Sequence, residues 1–307
     1  MGLIQVDRQE RGDNLVARVT VSNPARRNAL GNAGKRELAE AIEAISSDPR
    51  LRVIVLTGAG EHSFIGGADI AEMATFEHGR ATEGPSLTHR VCEAIRQAPV
   101  PVIARINGYC LGAGLEIAAS CDMRVATPTA RFGMPEVRFG LPSGMEACLL
   151  PQLIGWGKTR ELVFTGRHVS AQEAAECRLV ERLAPADQLD AAVEEWVAAI
   201  VSAGPQAIRA QKALIRDWER MSIADAVQQG IRAVAAAHGT EEARRLMAAF
   251  AERQRSRPVK SIESAPPHPR RVAAAWSMLD RVAREIGARW RRGRSAADAI
   301  REQRRDL

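Results

Sequence analysis

The sequence predicts an α/β fold whose strands pair in parallel. Two short apolar runs, residues 53–57 and 102–106, have the length and composition of strands that are buried on both faces. Gly58 follows the first run, and Pro99 and Pro101 lie before or at the start of the second, so turn residues border both runs. Helical patterns alternate with these runs, and from about residue 171 the pattern is helical almost throughout. This alternation is typical of an α/β architecture.

The remaining elements follow in a regular order. Alternating residues predict two paired strands at residues 3–6 and 14–21, with a turn at residues 11–14. The apolar positions of residues 32–47 recur with a helical period. In the second half, helical stripes predict helices at residues 187–201, 205–217, 221–237 and 240–255.

The composition excludes several classes of protein. The 307 residues are 46% hydrophobic, and no apolar run approaches the ~20 residues that a membrane span needs. Five cysteines without close pairs predict reduced thiols and no metal site. The first residues show no basic segment followed by an apolar one, so we expect a cytoplasmic protein.

The net charge of +6 is concentrated at the end of the chain. Residues 257–307 hold thirteen Lys or Arg and six Asp or Glu; subtracting their +7 from +6 leaves −1 for residues 1–256. Four prolines among residues 257–271 predict a linker. A basic amphipathic helix is predicted after it, with an apolar face formed by Val272, Trp276, Leu279, Val282, Ile286 and Trp290. This segment is either a docked or disordered appendage, or a contact for anionic membrane, nucleic acid or a partner protein.

Two glycine-marked segments each lie between a predicted strand and a helical stretch. Residues 66–69 come after the strand 53–57, and residues 112–114 come after the strand 102–106 and open a helix at residues 115–120. Glycine lets backbone N–H groups approach a ligand, and a helix start adds partial positive charge. Two converging amides would form an oxyanion hole. The alternative is a pair of tight turns packed against the sheet.

Two glutamates stand beside these glycines. Glu116 lies in the first turn of a helix with apolar neighbours, and Glu136 follows Pro135 in a loop bounded by Gly133 and Gly140. Paired carboxyl groups suit proton transfer and water activation. Taken singly, Glu116 could satisfy the helix dipole and Glu136 could be structural.

These segments belong to a longer series of motifs in a fixed order. The series comprises residues 23–30, 67–70, 107–116, 119–124, 132–136, 155–166 and 170–174. With it, residues 3 to about 257 resemble the crotonase superfamily, specifically its enoyl-CoA hydratases. The resemblance implies a spiral of ββα turns at residues 1–200 and a helical oligomerisation region at 201–256, which forms homotrimers or dimers of trimers. Residues 257–307 lie outside the resemblance.

The resemblance also implies roles for single residues. The N–H groups of Ala68 and Ala113 would bind the thioester carbonyl, Glu116 would activate water, and Glu136 would exchange the proton at Cα. The implied reaction is reversible hydration of a 2-trans-enoyl-CoA to a 3-hydroxyacyl-CoA, without a cofactor other than the CoA of the substrate. Isomerisation of an enoyl-CoA and hydrolysis of an acyl-CoA are the alternatives within the superfamily.

The implied CoA contacts come from several segments. They are Arg26, Arg27, Ala68, Asp69, Ile70, Ala71, Ala113 and Phe250. Arg26 and Arg27 either pair with phosphates of CoA or form a solvated surface pair. Phe250 lies either near the adenine bound by a neighbouring subunit or in the trimer core.

The sequence departs from the hydratases after Gly140. Residues 141–148 replace a glycine-rich segment that ends in Thr-Gln-Arg and borders the acyl pocket in the family. Glu146 adds a third acid there, which is catalytic, selects the substrate, or is a solvent-facing or packing residue. Arg244 and Arg245 replace a Glu-Gly pair before the last helix.

Overall fold

The computed structural model describes residues 2–75 and 82–256, and these residues contain ten strands in two sheets. The strands are Ile4–Arg11 (β1), Asn14–Val21 (β2), Leu51–Gly58 (β3), Ser63–Ile65 (β4), Val102–Ile106 (β5), Tyr109–Leu111 (β6), Met123–Ala126 (β7), Arg131–Gly133 (β8), His168–Ser170 (β9) and Arg182–Leu183 (β10). The larger sheet has the order β1-β2-β3-β5-β7-β10 and the smaller one β4-β6-β8-β9. Pairing is parallel except in the β1–β2 hairpin and between β8 and β9.

Helices cover the sheets and form the end of the described chain. They are Asn32–Ser46 (α1), Ile70–Met73 (α2), Glu83–Gln97 (α3), Ala113–Ser120 (α4), Leu150–Thr165 (α5), Ala171–Glu176 (α6), Leu189–Ser202 (α7), Pro205–Trp218 (α8), Ile223–His238 (α9) and Glu241–Ser256 (α10). Short 3₁₀ segments lie at Pro24–Arg26, Glu136–Phe139, Met145–Leu149 and Ala186–Gln188. The predicted α/β class with parallel strands and a helical C-terminal region is confirmed.

The larger sheet is buried on both faces. All eight residues of β3 are buried. Leu51, Ile54 and Leu56 pack in the core with α1 and α3, whereas Val53 and Val55 pack on the opposite face with α7. Because neither face of β3 meets water, residues 53–56 at its centre form a continuous apolar run without alternation.

The chain divides into two compact units, Met1–Met247 and Ala248–Leu307. Every strand of the described residues belongs to the first unit, and the described part of the second is the end of α10. The predicted linker and basic helix lie outside the described residues, and the predicted boundaries at 200 and 256 stay predictions. No helix of the described residues is long and apolar enough to cross a membrane.

A buried asparagine fixes the segment that leads into the smaller sheet. Asn28 is fully buried, with a φ of 56°. Its Nδ2 donates to the carbonyl oxygens of Ala59 (3.0 Å) and Ser63 (2.7 Å), and its Oδ1 accepts from the N–H of Asn23 (2.9 Å). The side chain thus ties the segment before α1 to the start of β4, the strand that leads to residues 66–68.

We expect Asn28→Ala to lower the free energy of unfolding by roughly 3 kcal/mol, because one buried and two partly buried polar groups lose their partner. Asn23→Ala is the matched control, since the Asn23 amide makes one long hydrogen bond of 3.4 Å to Ala29; its expected loss is below about 1 kcal/mol. Urea denaturation followed by circular dichroism measures both. Equal losses in the two variants would contradict the role of Asn28.

Candidate active site

The two glycine-marked segments lie side by side because they follow neighbouring strands. β4 and β6 pair in parallel, so their carboxyl ends meet at one edge of the smaller sheet. A Cβ added to Gly114 would lie 2.1 Å from the carbonyl oxygen of Ile65, and one added to Gly67 would lie 3.2 Å from that of Leu111. Backbone therefore contacts backbone at both places, and only glycine at position 114 permits the contact.

Backbone amides in both segments are available to a ligand. The N–H of Asp69 is occupied, because it donates to the carbonyl oxygen of Leu30 (3.1 Å), whereas the N–H groups of Gly67 and Gly114 donate to no described residue. The N–H groups of Ala68 and Ala113 donate to no described residue. Ala113 is the first residue of α4, which adds the partial positive charge of a helix start. Helix α4 begins two residues before the predicted start at Leu115.

Ala68 and Ala113 face a common cavity of about 580 Å³. Its lining also includes both sequence-predicted glutamates, Glu116 and Glu136. The structure therefore brings together two amide donors and two carboxyl groups, which is the arrangement needed to stabilise an oxyanion and to move protons beside it.

Glu116 is a buried carboxyl with incomplete hydrogen bonding. All eight residues of α4 are buried, and Glu116 is only 2% exposed. Its Oε1 accepts from the N–H of Ala147 (3.1 Å), while its Oε2 has no partner among the described residues. Burial, together with the negative charges of Glu136 and Glu146, raises the pKa of Glu116 to about 8. An unpaired buried carboxyl oxygen of a cavity-lining residue is suited to a water molecule or a ligand.

Glu136 begins the 3₁₀ segment Glu136–Phe139, where the sequence predicted a loop. Its Oε2 accepts from the hydroxyl of Ser143 at 2.8 Å. A Cβ added to Gly112 would lie 2.6 Å from Oε1 of Glu136, so the Glu136 carboxyl contacts the main chain at Gly112. Partial burial raises the pKa of Glu136 as well.

The residues predicted to contact CoA divide into two groups. Arg27, Ala68, Ile70 and Ala113 line the cavity, and the guanidinium of Arg27 lies 4.9 Å from the centre of the Tyr109 ring. The others do not line it. They are Arg26, Asp69, Ala71 and Phe250.

The second group has local contacts of its own. Arg26 pairs with Asp69 at 2.7 Å, and Asp69 caps α2 by accepting from the N–H groups of Ala71 and Glu72. Phe250 is exposed and belongs to the second compact unit. The CoA contacts of these residues stay predictions.

Lys35 lines the cavity and was missed by sequence reasoning. It is buried in α1, and its Nζ donates to the carbonyl oxygen of Gly84 at 3.1 Å. A signal was present, because position 35 precedes Leu38 and Ile42 by three and seven residues on the apolar stripe of α1. A lysine on such a stripe predicts either a buried ammonium or a functional group.

The third acid, Glu146, is buried, so the solvent-facing interpretation is wrong. Its Oε1 lies 2.6 Å from Nδ1 of His89, and its Oε2 has no partner among the described residues. Glu146 does not line the cavity that holds Glu116 and Glu136. Among residues 2–75 and 82–256, no group of three or more His, Cys, Asp or Glu side chains is placed to hold a metal ion.

Fold and site together define a class: α/β proteins in which two free amides at the ends of parallel strands face a pair of carboxyl groups. The family model for enoyl-CoA hydratase/isomerase matches residues 11–258. The chain belongs to this family, and the predicted resemblance to the crotonase superfamily is confirmed.

Relatives named as hydratases match most of the chain. The short-chain-enoyl-CoA hydratase of Clostridium acetobutylicum is 34% identical over 241 residues, which are 78% of this chain and 92% of the relative. The crotonyl-CoA hydratase of Syntrophomonas wolfei is 32% identical over 237 residues, covering 77% and 91%. The crystal structure of an enoyl-CoA hydratase from Bacillus anthracis superposes with a TM-score of 0.78 at 33% identity, covering 82% of this chain and 96% of that one.

We expect Glu116→Gln to be more stable than the wild type in alkaline solution. The pKa of Glu116 rises from 4.5 to about 8 on folding. A carboxyl with a raised pKa contributes stability fully below its unfolded pKa, and this contribution is lost as the pH rises through the folded pKa. The free energy of unfolding of Glu116→Gln, measured by urea denaturation, should therefore exceed that of the wild type only slightly at about pH 5. At about pH 9 the difference should reach several kcal/mol.

The matched control is Glu176→Gln, because Glu176 is exposed on α6. It should show no gain that grows with pH. A gain of Glu116→Gln that is equal at both pH values would contradict the burial of an ionisable Glu116.

Proposed function

We propose that the protein catalyses the reversible hydration of a 2-trans-enoyl-CoA to a 3-hydroxyacyl-CoA. The observation that carries this proposal is the shared cavity, in which the amides of Ala68 and Ala113 face the carboxyl groups of Glu116 and Glu136. Family membership supports the acyl-CoA substrate class. The presence of both carboxyl groups favours hydration over chemistries that need only one.

In this proposal the two amides bind the carbonyl oxygen of the thioester. Hydrogen bonds from Ala68 and Ala113 would be strongest when negative charge develops on that oxygen, because their donors are fixed by backbone and need no reorganisation. Polarisation of the carbonyl by the two amides makes Cβ of the alkene electrophilic, and the same donors stabilise the enolate that forms when water adds. Water can then add at Cβ while Cα takes up a proton.

The two glutamates would share one proton through the cycle. In hydration, Glu116 accepts a proton from the attacking water, the water oxygen bonds to Cβ, and protonated Glu136 gives its proton to Cα. The proton then sits on Glu116, which is consistent with its raised pKa of about 8. That resting state is ready for dehydration, and a shared water would return the proton to Glu136 for the next hydration.

We also propose that a second copy of this chain covers the outer face of α9. Four apolar residues spaced by three or four positions are between 54% and 85% exposed. They are Ile223, Val227, Ile231 and Val234. An apolar stripe of this kind is typical of an association surface, and the resemblance predicts a homotrimer or a dimer of trimers.

We expect Glu136→Gln to lower kcat with crotonyl-CoA by roughly 10²- to 10⁴-fold, because it removes the group that exchanges the proton at Cα. The loss of the absorbance of the conjugated enoyl thioester measures turnover. Glu146→Gln, a buried carboxyl outside the cavity lining, is the matched control and should retain most of the activity.

Three outcomes would overturn the assignment. Full activity of Glu136→Gln would exclude its role. Release of free thiol from acyl-CoA would indicate a hydrolase instead. Conversion of a 3-enoyl-CoA to a 2-enoyl-CoA that is faster than hydration would indicate an isomerase.

We expect the wild type to elute as a trimer or a hexamer in size exclusion with light scattering. The double variant Ile231→Glu, Val234→Glu should shift to the monomer, because two charges would be buried without partners. Gln228→Glu, an exposed position on the same helix, is the matched control and should leave the assembly intact. A monomeric wild type, or a double variant that assembles normally, would refute the interface.

A further inference from the structure

Lys35 is a buried ammonium with few protein partners. Its side chain is only slightly exposed, and its Nζ donates one hydrogen bond, to the carbonyl oxygen of Gly84, although an ammonium has three donors. No carboxylate of the described residues forms an ion pair with it. Buried charges in proteins are normally paired or hydrogen-bonded on all sides, so this arrangement needs a further partner.

The position of Lys35 indicates where that partner lies. Lys35 lines the cavity together with Gly84, Pro85 and Thr88 from the start of α3. The hydroxyl of Thr88 donates to the same carbonyl oxygen of Gly84 at 3.1 Å, so it offers its lone pairs but no proton to the cavity. The remaining donors of the Lys35 ammonium are therefore the ones this wall can offer to a ligand.

Glu116 is not the missing partner. The positive charge of Lys35 lowers the pKa of Glu116, yet that pKa stays at about 8. The Glu116 carboxyl accepts a hydrogen bond from the N–H of Ala147 and none from Lys35. Burial lowers the pKa of Lys35, and the negative charges of Glu72 and Glu116 offset this shift only in part.

We propose that Lys35 binds a carboxylate at the far end of the acyl chain, so that the substrate is a 2-enoyl-CoA derived from a dicarboxylic acid. This inference rests on the proposed function, which identifies the enoyl thioester as the reacting end of the substrate. It adds the chemical group at the opposite end of the acyl chain. A terminal carboxylate would complete the ammonium's hydrogen bonds and neutralise its charge within the cavity. An apolar acyl chain would leave the ammonium buried and unpaired.

Binding of unreactive saturated thioesters to the full-length protein tests the inference without turnover. Glutaryl-CoA and adipyl-CoA are each compared with an analogue in which an isopropyl group replaces the terminal carboxylate, and isothermal titration calorimetry gives both Kd values. We expect the wild type to prefer the carboxylate and Lys35→Met to prefer the isopropyl analogue. The ratio of the two Kd values should change by roughly 10- to 100-fold between the proteins, as for a hydrogen bond between charged groups.

Two further variants keep the result interpretable. Arg36→Met removes the same charge from the exposed neighbouring position on α1 and should leave the Kd ratio unchanged. Lys35→Gln keeps a donor but loses the charge, and it serves if the methionine variant fails to fold; its Kd ratio should move in the same direction. A ratio equal in the wild type and the Lys35 variants would overturn the inference.

Turnover separates this inference from the proposed function. Glutaconyl-CoA and 5-methylhex-2-enoyl-CoA are the matched unsaturated pair. If the Kd ratio depends on Lys35 but neither thioester is hydrated, hydration is wrong and the carboxylate site stands. If both are hydrated and Lys35→Met leaves their relative kcat/KM unchanged, hydration stands and the carboxylate site is wrong.

Discussion

The site depends on one backbone contact, the approach of Gly114 to the carbonyl group of Ile65. A Cβ at position 114 would lie 2.1 Å from that oxygen, so any side chain would push α4 away from the end of β4. This contact fixes the distance between the segments that carry the amides of Ala68 and Ala113. Because both amides belong to the main chain, their placement is set by strand pairing and helix packing and not by rotamers.

The second constraint is electrostatic. Glu116 lies on a helix that is buried along its whole length, and its Oε2 has no protein partner among the described residues. Burial of this carboxyl reduces stability above its unfolded pKa, while it provides a group that changes protonation near neutral pH. Destabilising groups of this kind are typical of active sites, where function outweighs local stability.

Much of this arrangement could be predicted from the sequence. The continuous apolar run of β3 indicated a sheet covered on both sides, and the glycines next to Ala68 and Ala113 indicated close backbone approach. The three-residue strands of the smaller sheet could not be predicted, because alternation cannot be recognised over so few residues. The contact between Glu136 and Gly112 joins residues that are distant in sequence, so no local sequence pattern predicts this contact. The buried position of Lys35 could have been predicted, since this charged residue interrupts the apolar stripe of α1.

The two carboxyl groups stand on elements of unequal burial. Glu116 is held by the core, whereas residues 137–142, which follow Glu136, are exposed and include Phe139 and Leu141. Exposed segments tolerate substitution far better than buried helices. One rim of the cavity can thus change in sequence while the wall that carries Ala113 and Glu116 is held in place by packing, so the shape of the cavity can vary without displacing those two residues.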